Sequence, residues 1–132
     1  MVALLYHIDE IARRIKRDVL WVAFEYSERG SLEKMPRRLR QHRSKIITWL
    51  SKRNIRYQEC YGVFDGALEE PYRGDVFVDL PLDNSNADFV ALEEMLETAG
   101  GSSKIEGIVL YALPLKVARK NGRFYREVMN GI

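Results

Sequence analysis

Cysteine and histidine are scarce in this sequence. One cysteine, Cys60, and two histidines, His7 and His42, occur in 132 residues. A lone cysteine cannot close an internal disulfide or build a CxxC-type metal or redox site. Two histidines are too few for a histidine-rich metal centre. Long apolar runs are missing as well, since none nears the ~20 residues that a bilayer span requires. The N-terminus lacks the shape of a secretory signal: Val2 to Tyr6 is short for an apolar segment, and Asp9 and Glu10 follow at once. Glycines 62, 66, 74, 100 and 101 fall at turns without phosphate-loop spacing, so no nucleotide cradle is indicated. Together these shortages predict a cytoplasmic protein with no cofactor and no membrane attachment.

What is present suits an ordinary globular chain. Apolar residues make up 46% and charged residues 30%, and one domain over 1–132 is long enough to bury a core. The net charge of +2 conceals a division along the chain. Residues 1–57 hold 14 Lys/Arg against 6 Asp/Glu, whereas residues 58–132 hold 7 against 13. Such polarity bears on partners: nucleic acid, an acidic protein, or a second copy of the chain.

Periodicity sets out the elements. Leu4, Ile8, Ile11 and Ile15 recur at helical spacing and predict an amphipathic N-terminal helix over 3–17, with Arg13, Arg14 and Lys16 on its other side. Val19–Tyr26 is β-branched and aromatic, hence a first strand. Residues 35–53 return to helical period, with Leu39, Ile46, Ile47 and Leu50 as the apolar stripe and Pro36 near the first turn. Arg56–Val63 alternates as a second strand, and Asp75–Leu80 as a third. Asp83, Asn84, Ser85 and Asn86 are capping residues ahead of a helix over 87–98. In it Phe89, Leu92, Leu96 and Ala99 form the stripe, and Gly100 and Gly101 stop it. Ile105–Leu113 is a fourth strand, and Pro114 opens a helical segment over 114–132.

Without the terminal helices, residues 18–113 read strand, helix, strand, strand, helix, strand. Two right-handed split βαβ units give an α+β, ferredoxin-like βαββαβ fold, with an antiparallel sheet of order 4-1-3-2 and both core helices on one face. The apolar sets Leu20, Val22, Phe24 and Val76, Val78, Leu80 should meet those helices. Trp21 and Phe77 then fall on the open sheet face.

Aromatic residues on the central strands resemble the RNA-recognition-motif family, whose equivalent positions stack on bases. The segments LWVAFE and DVFVDL lack that family's basic and glycine-rich consensus, and their carboxylates would repel phosphate. The apolar stripe of the N-terminal helix needs burial, and this face is the place for it. A covered face is therefore expected, closed by the terminal helices or by a second subunit.

The first core helix carries the best functional signal. Arg37, Gln41, Ser44, Thr48 and Lys52 lie opposite its stripe, flanked by Arg38, Arg40 and Lys45, and no acidic residue occurs between Lys34 and Glu59. Cations in this density can follow a phosphate backbone, and Arg13 and Arg14 are expected to extend the surface. The leading expectation is a non-enzymatic module that binds nucleic acid or an acidic protein through this basic half. A homodimeric interaction protein is the alternative.

A third reading uses carboxylates. Glu25 should lie near Asp75 on one sheet face, with Asp79 one pleat further in, a set able to hold Mg²⁺ or Mn²⁺ for phosphodiester hydrolysis. In its strand order, its acidic first-strand end and the YGVFDG segment at 61–66, the chain is similar to the small ferredoxin-like nucleases of CRISPR adaptation. It departs in having Glu25 where that family uses Asp, and in its extra N-terminal helix. Cys60 and His42 show no nucleophile arrangement and read as structural residues.

Overall fold

The computed structural model describes residues 6–26, 32–60 and 74–120. The chain forms α1 (Tyr6–Ile15), β1 (Val19–Phe24), a 3-10 turn at Leu32–Lys34, α2 (Arg37–Lys52), β2 (Tyr57–Glu59), β3 (Val76–Val78), α3 (Ala87–Leu96) and β4 (Ile108–Leu113). Residues 115–120 are helical as well. The second strand is shorter than the alternation predicts, and YGVFDG at 61–66 lies outside the described residues. Among the described residues, no helix is long and apolar enough to cross a membrane.

The protein is α+β, with one four-stranded antiparallel sheet in the order β2-β3-β1-β4. That is the expected order, read from the opposite edge. Register places Leu20, Trp21 and Val22 of β1 against Val78, Phe77 and Val76 of β3. On its other side β1 pairs over its whole length with β4, from Val19↔Leu113 to Phe24↔Ile108.

Alternation along β1 divides the core into two layers. Leu20, Val22 and Phe24, with Val76 and Val78, pack under Leu39, Ile46 and Leu50 of α2 and Phe89, Leu92 and Leu96 of α3. Val19, Trp21, Ala23 and Phe77 face the other way, beneath Ile11 and Ala12 of α1 and Ala118 of the C-terminal helical residues. All six residues of β1 are buried, as are all three of β3. An unbroken apolar run such as VLWVAF belongs on a strand covered from both sides, where neither pleat meets water.

Local chemistry ends the helices. α2 closes in a Schellman motif, with Ile55 N–H donating to the Leu50 carbonyl at 3.0 Å and Asn54 N–H to Ser51 at 3.1 Å. Asn54 takes the left-handed position at φ 56°, and Ile55 buries against the same cluster as Leu50. α3 begins on Asn86, whose side chain accepts from Phe89 N–H at 3.0 Å. It ends at Leu96, before the glycines that were expected to stop it. Glu97 is extended and bridges to Ser103, so Ala99 lies exposed past the helix end and outside the stripe. Asp18, in the turn between α1 and β1, accepts from Leu115 N–H at 2.7 Å. That bond satisfies the first free donor of the C-terminal helical residues and ties them to the α1 side of the sheet.

Candidate nucleic-acid interface

α2 owes its orientation to its stripe. Leu39, Ile46 and Leu50 are buried, which turns Arg37, Arg40, Gln41, Ser44, Lys45, Thr48 and Lys52 to solvent. Sixteen residues at 1.5 Å each make a helix about 24 Å long. An equal length of duplex carries on the order of a dozen phosphate charges.

The cations of this region divide by what they touch. Arg43 donates from Nε to the Gly74 carbonyl at 2.9 Å and is half-buried. Arg38 donates to the Glu106 carbonyl at 3.0 Å. Arg53 pairs with Asp88 at 3.0 Å and lies over the Trp49 ring at 4.6 Å. These three join α2 to the rest of the fold. Arg37, Arg40, Lys45 and Lys52 are exposed, and the ion pairs found among the described residues, Arg17–Asp79 and Arg53–Asp88, involve none of them. Four cations without an ion pair among the described residues therefore lie on one helix face, with Gln41, Ser44 and Thr48 beside them as hydrogen-bonding groups. That is a surface able to meet an extended polyanion.

Arg13 and Arg14 do not extend it. They belong to α1, which packs on the opposite face of the sheet from α2. Arg13 donates to the Ala118 carbonyl at 3.5 Å, and Arg14 reaches Gln58 Oε1 on β2 at 3.4 Å. The expected composite of two basic helices is thus divided by the sheet between them. Sequence reasoning could not see this, because which face a helix covers is decided by packing.

The sheet face carrying Trp21 and Phe77 is closed. They are 3% and 5% exposed, and the Trp21 ring stacks on Tyr111 with centroids 5.3 Å apart. The terminal elements provide the cover, as the stripe of the N-terminal helix required. No base could reach these rings without displacing α1.

The three carboxylates proposed for a metal are each engaged separately. Asp75 is buried, and its Oδ1 accepts from Phe24 N–H at 3.1 Å. It serves the ladder where β3 diverges at Gly74, whose φ is 101°. Glu25 Oε1 accepts from the Tyr111 hydroxyl at 2.8 Å. Asp79 pairs with Arg17. Among the described residues, no three His, Cys, Asp or Glu side chains group closely enough to hold a metal ion. Tyr111 is the unforeseen member of this region. Partial burial, then its bond to Glu25, then the nearby charges of Glu25 and Asp75 push its hydroxyl pKa up to about 12. Cys60 is fully buried, and burial first and Asp75 second push its thiol well up, so it is held protonated.

No protein-family model, no curated protein and no solved structure gives a significant match to this chain.

Proposed function

We propose that this chain is a non-enzymatic binding module, on a ferredoxin-like core, that engages the phosphate backbone of nucleic acid through the outer face of α2. One observation carries the reading: Arg37, Arg40, Lys45 and Lys52 share that face with no acidic partner among the described residues. The opposite layer offers less, because Trp21 and Phe77 are covered and Glu25, Asp75 and Asp79 are each engaged. Contact of this kind positions a backbone and reads little sequence. Polar Gln41, Ser44 and Thr48 add hydrogen bonds to phosphate or sugar oxygens.

Replacing Arg37, Arg40 and Lys52 together with Gln tests the surface. These side chains are exposed, so the fold should persist while affinity for labelled DNA or RNA falls at least tenfold. Unchanged affinity in a folded triple variant removes this surface from consideration. No binding by the parent protein at low salt would redirect the same cations to an acidic protein.

A further inference from the structure

We propose that the free edge of β4 is a joint between two copies of this chain, related by a two-fold axis at Tyr111. β4 and β2 are the two edges of the sheet, and they differ in kind. β2 is three residues long, contains Glu59 and follows Arg56. A short, charged edge is protected against pairing. β4 runs for six residues, IVLYAL, without a charge or a proline. Tyr111 and Ala112 are exposed, and among the described residues no strand lies on its outer side. A long, uncharged edge is a template for another strand.

The hydrogen-bond pattern says which groups are free. Glu25 N–H donates to the Gly107 carbonyl at 2.7 Å, which marks 25 and 107 as a hydrogen-bonded pair in the β1–β4 register. Such pairs alternate along an antiparallel ladder. Val109, Tyr111 and Leu113 therefore turn their main chain toward β1, and Ile108, Leu110 and Ala112 turn theirs outward. Ile108 N–H is already given to the Ile105 carbonyl at 3.1 Å. Leu110 and Ala112 are left presenting both a donor and an acceptor to the outside.

A second copy satisfies them in one register. With Tyr111 opposite Tyr111 of the partner, Leu110 faces Ala112 of the other copy twice, and four N–H···O=C bonds form. The next outward position opposes Ile108 to Pro114, where one N–H is used and the other does not exist, so no donor is stranded. The same register brings Glu106 of each copy to the end of the joint occupied by Lys116 of the other. Both side chains are exposed, and neither enters an ion pair among the described residues. A slip of two residues would instead set Lys104 toward Lys116 and leave the Ala112 carbonyl without a donor. Charge and hydrogen bonding favour the same alignment, which makes one eight-stranded sheet and leaves both α2 faces free. Tyr111 then meets its counterpart as a cross-strand aromatic pair beside Trp21.

Light scattering on a size-exclusion column, without nucleic acid, tests this on the full chain. The parent protein should run at twice the chain mass at micromolar concentration. Ala112→Pro removes one outward donor per copy at an edge position that tolerates proline. Ala112→Lys places charge on the joint without touching the core. Each should raise the dissociation constant by more than about tenfold with an unchanged far-ultraviolet circular dichroism spectrum. Glu106→Lys should weaken the dimer, and adding Lys116→Glu should restore it. A parent protein that stays monomeric at high micromolar concentration overturns the proposal, as does a dimer that neither folded Ala112 variant weakens. If Ala112→Pro fails to fold, the Lys variant decides.

Discussion

Tyr111 links an ionisation to stability in a direction that can be worked out. Its hydroxyl pKa is raised from 10.0 to about 12, because partial burial and the bond to Glu25 disfavour the phenolate. A raised folded-state value stabilises the fold fully below the unfolded value, and that contribution disappears as pH climbs through the folded one. Stability should therefore decline between about pH 10 and pH 12, and Tyr111→Phe should flatten that decline in denaturant titrations across the window. Cys60 gives a second residue-scale expectation. Full burial keeps its thiol protonated, so it should react with a thiol reagent only at the rate of opening or unfolding. Rapid labelling of the native protein would contradict its placement under the α1 layer. Cys60 as a small buried residue was legible from its strand context, and so was the cap at Asn86. The duties of Asp75, Glu25 and Asp79 were not. A carboxylate on a solvent-facing pleat and one that completes a backbone ladder look alike in one dimension, since the difference lies in a partner 51 to 86 positions away.

At the scale of elements, the Schellman ending of α2 and the tie at Asp18 make separable predictions. Asn54→Ala should cost about 1 kcal/mol, because alanine at φ 56° has neither glycine's freedom nor asparagine's tolerance. Asp18→Ala should cost a similar ~1 kcal/mol as a lost cap. It should also increase hydrogen exchange in residues 115–120 more than in the sheet, since the bond to Leu115 N–H holds that segment. Leu50→Ala, in the centre of the α2 layer, should cost about 2–5 kcal/mol in chemical denaturation. The helices and strands were legible in sequence because period 3.6 and period 2 are imposed by one buried face each. Boundaries were less so. α3 stops short of its glycines because Glu97 pairs with Ser103 in an extended conformation, an arrangement that pattern alone does not encode.

The whole molecule is a sheet covered on both sides, and that explains which sequence signals carried through. VLWVAF and VFV are apolar on both pleats because both are buried, which ended the prospect of an open aromatic platform. The division of charge along the chain survives only partly in space. α1 and α2 carry their cations to opposite layers, while Arg53 and Asp88 bring the basic and acidic halves into contact. What remains is the face of α2, with four cations that enter no ion pair among the described residues. Fluorescence anisotropy with labelled duplex DNA across a series of salt concentrations tests it most directly. Affinity should fall with salt along a log–log slope of about −3 to −4, and the Arg37, Arg40 and Lys52 triple variant should reduce that slope to about −1. A slope near zero, or one that the triple substitution leaves unchanged, would contradict the account of α2 as a phosphate-binding face.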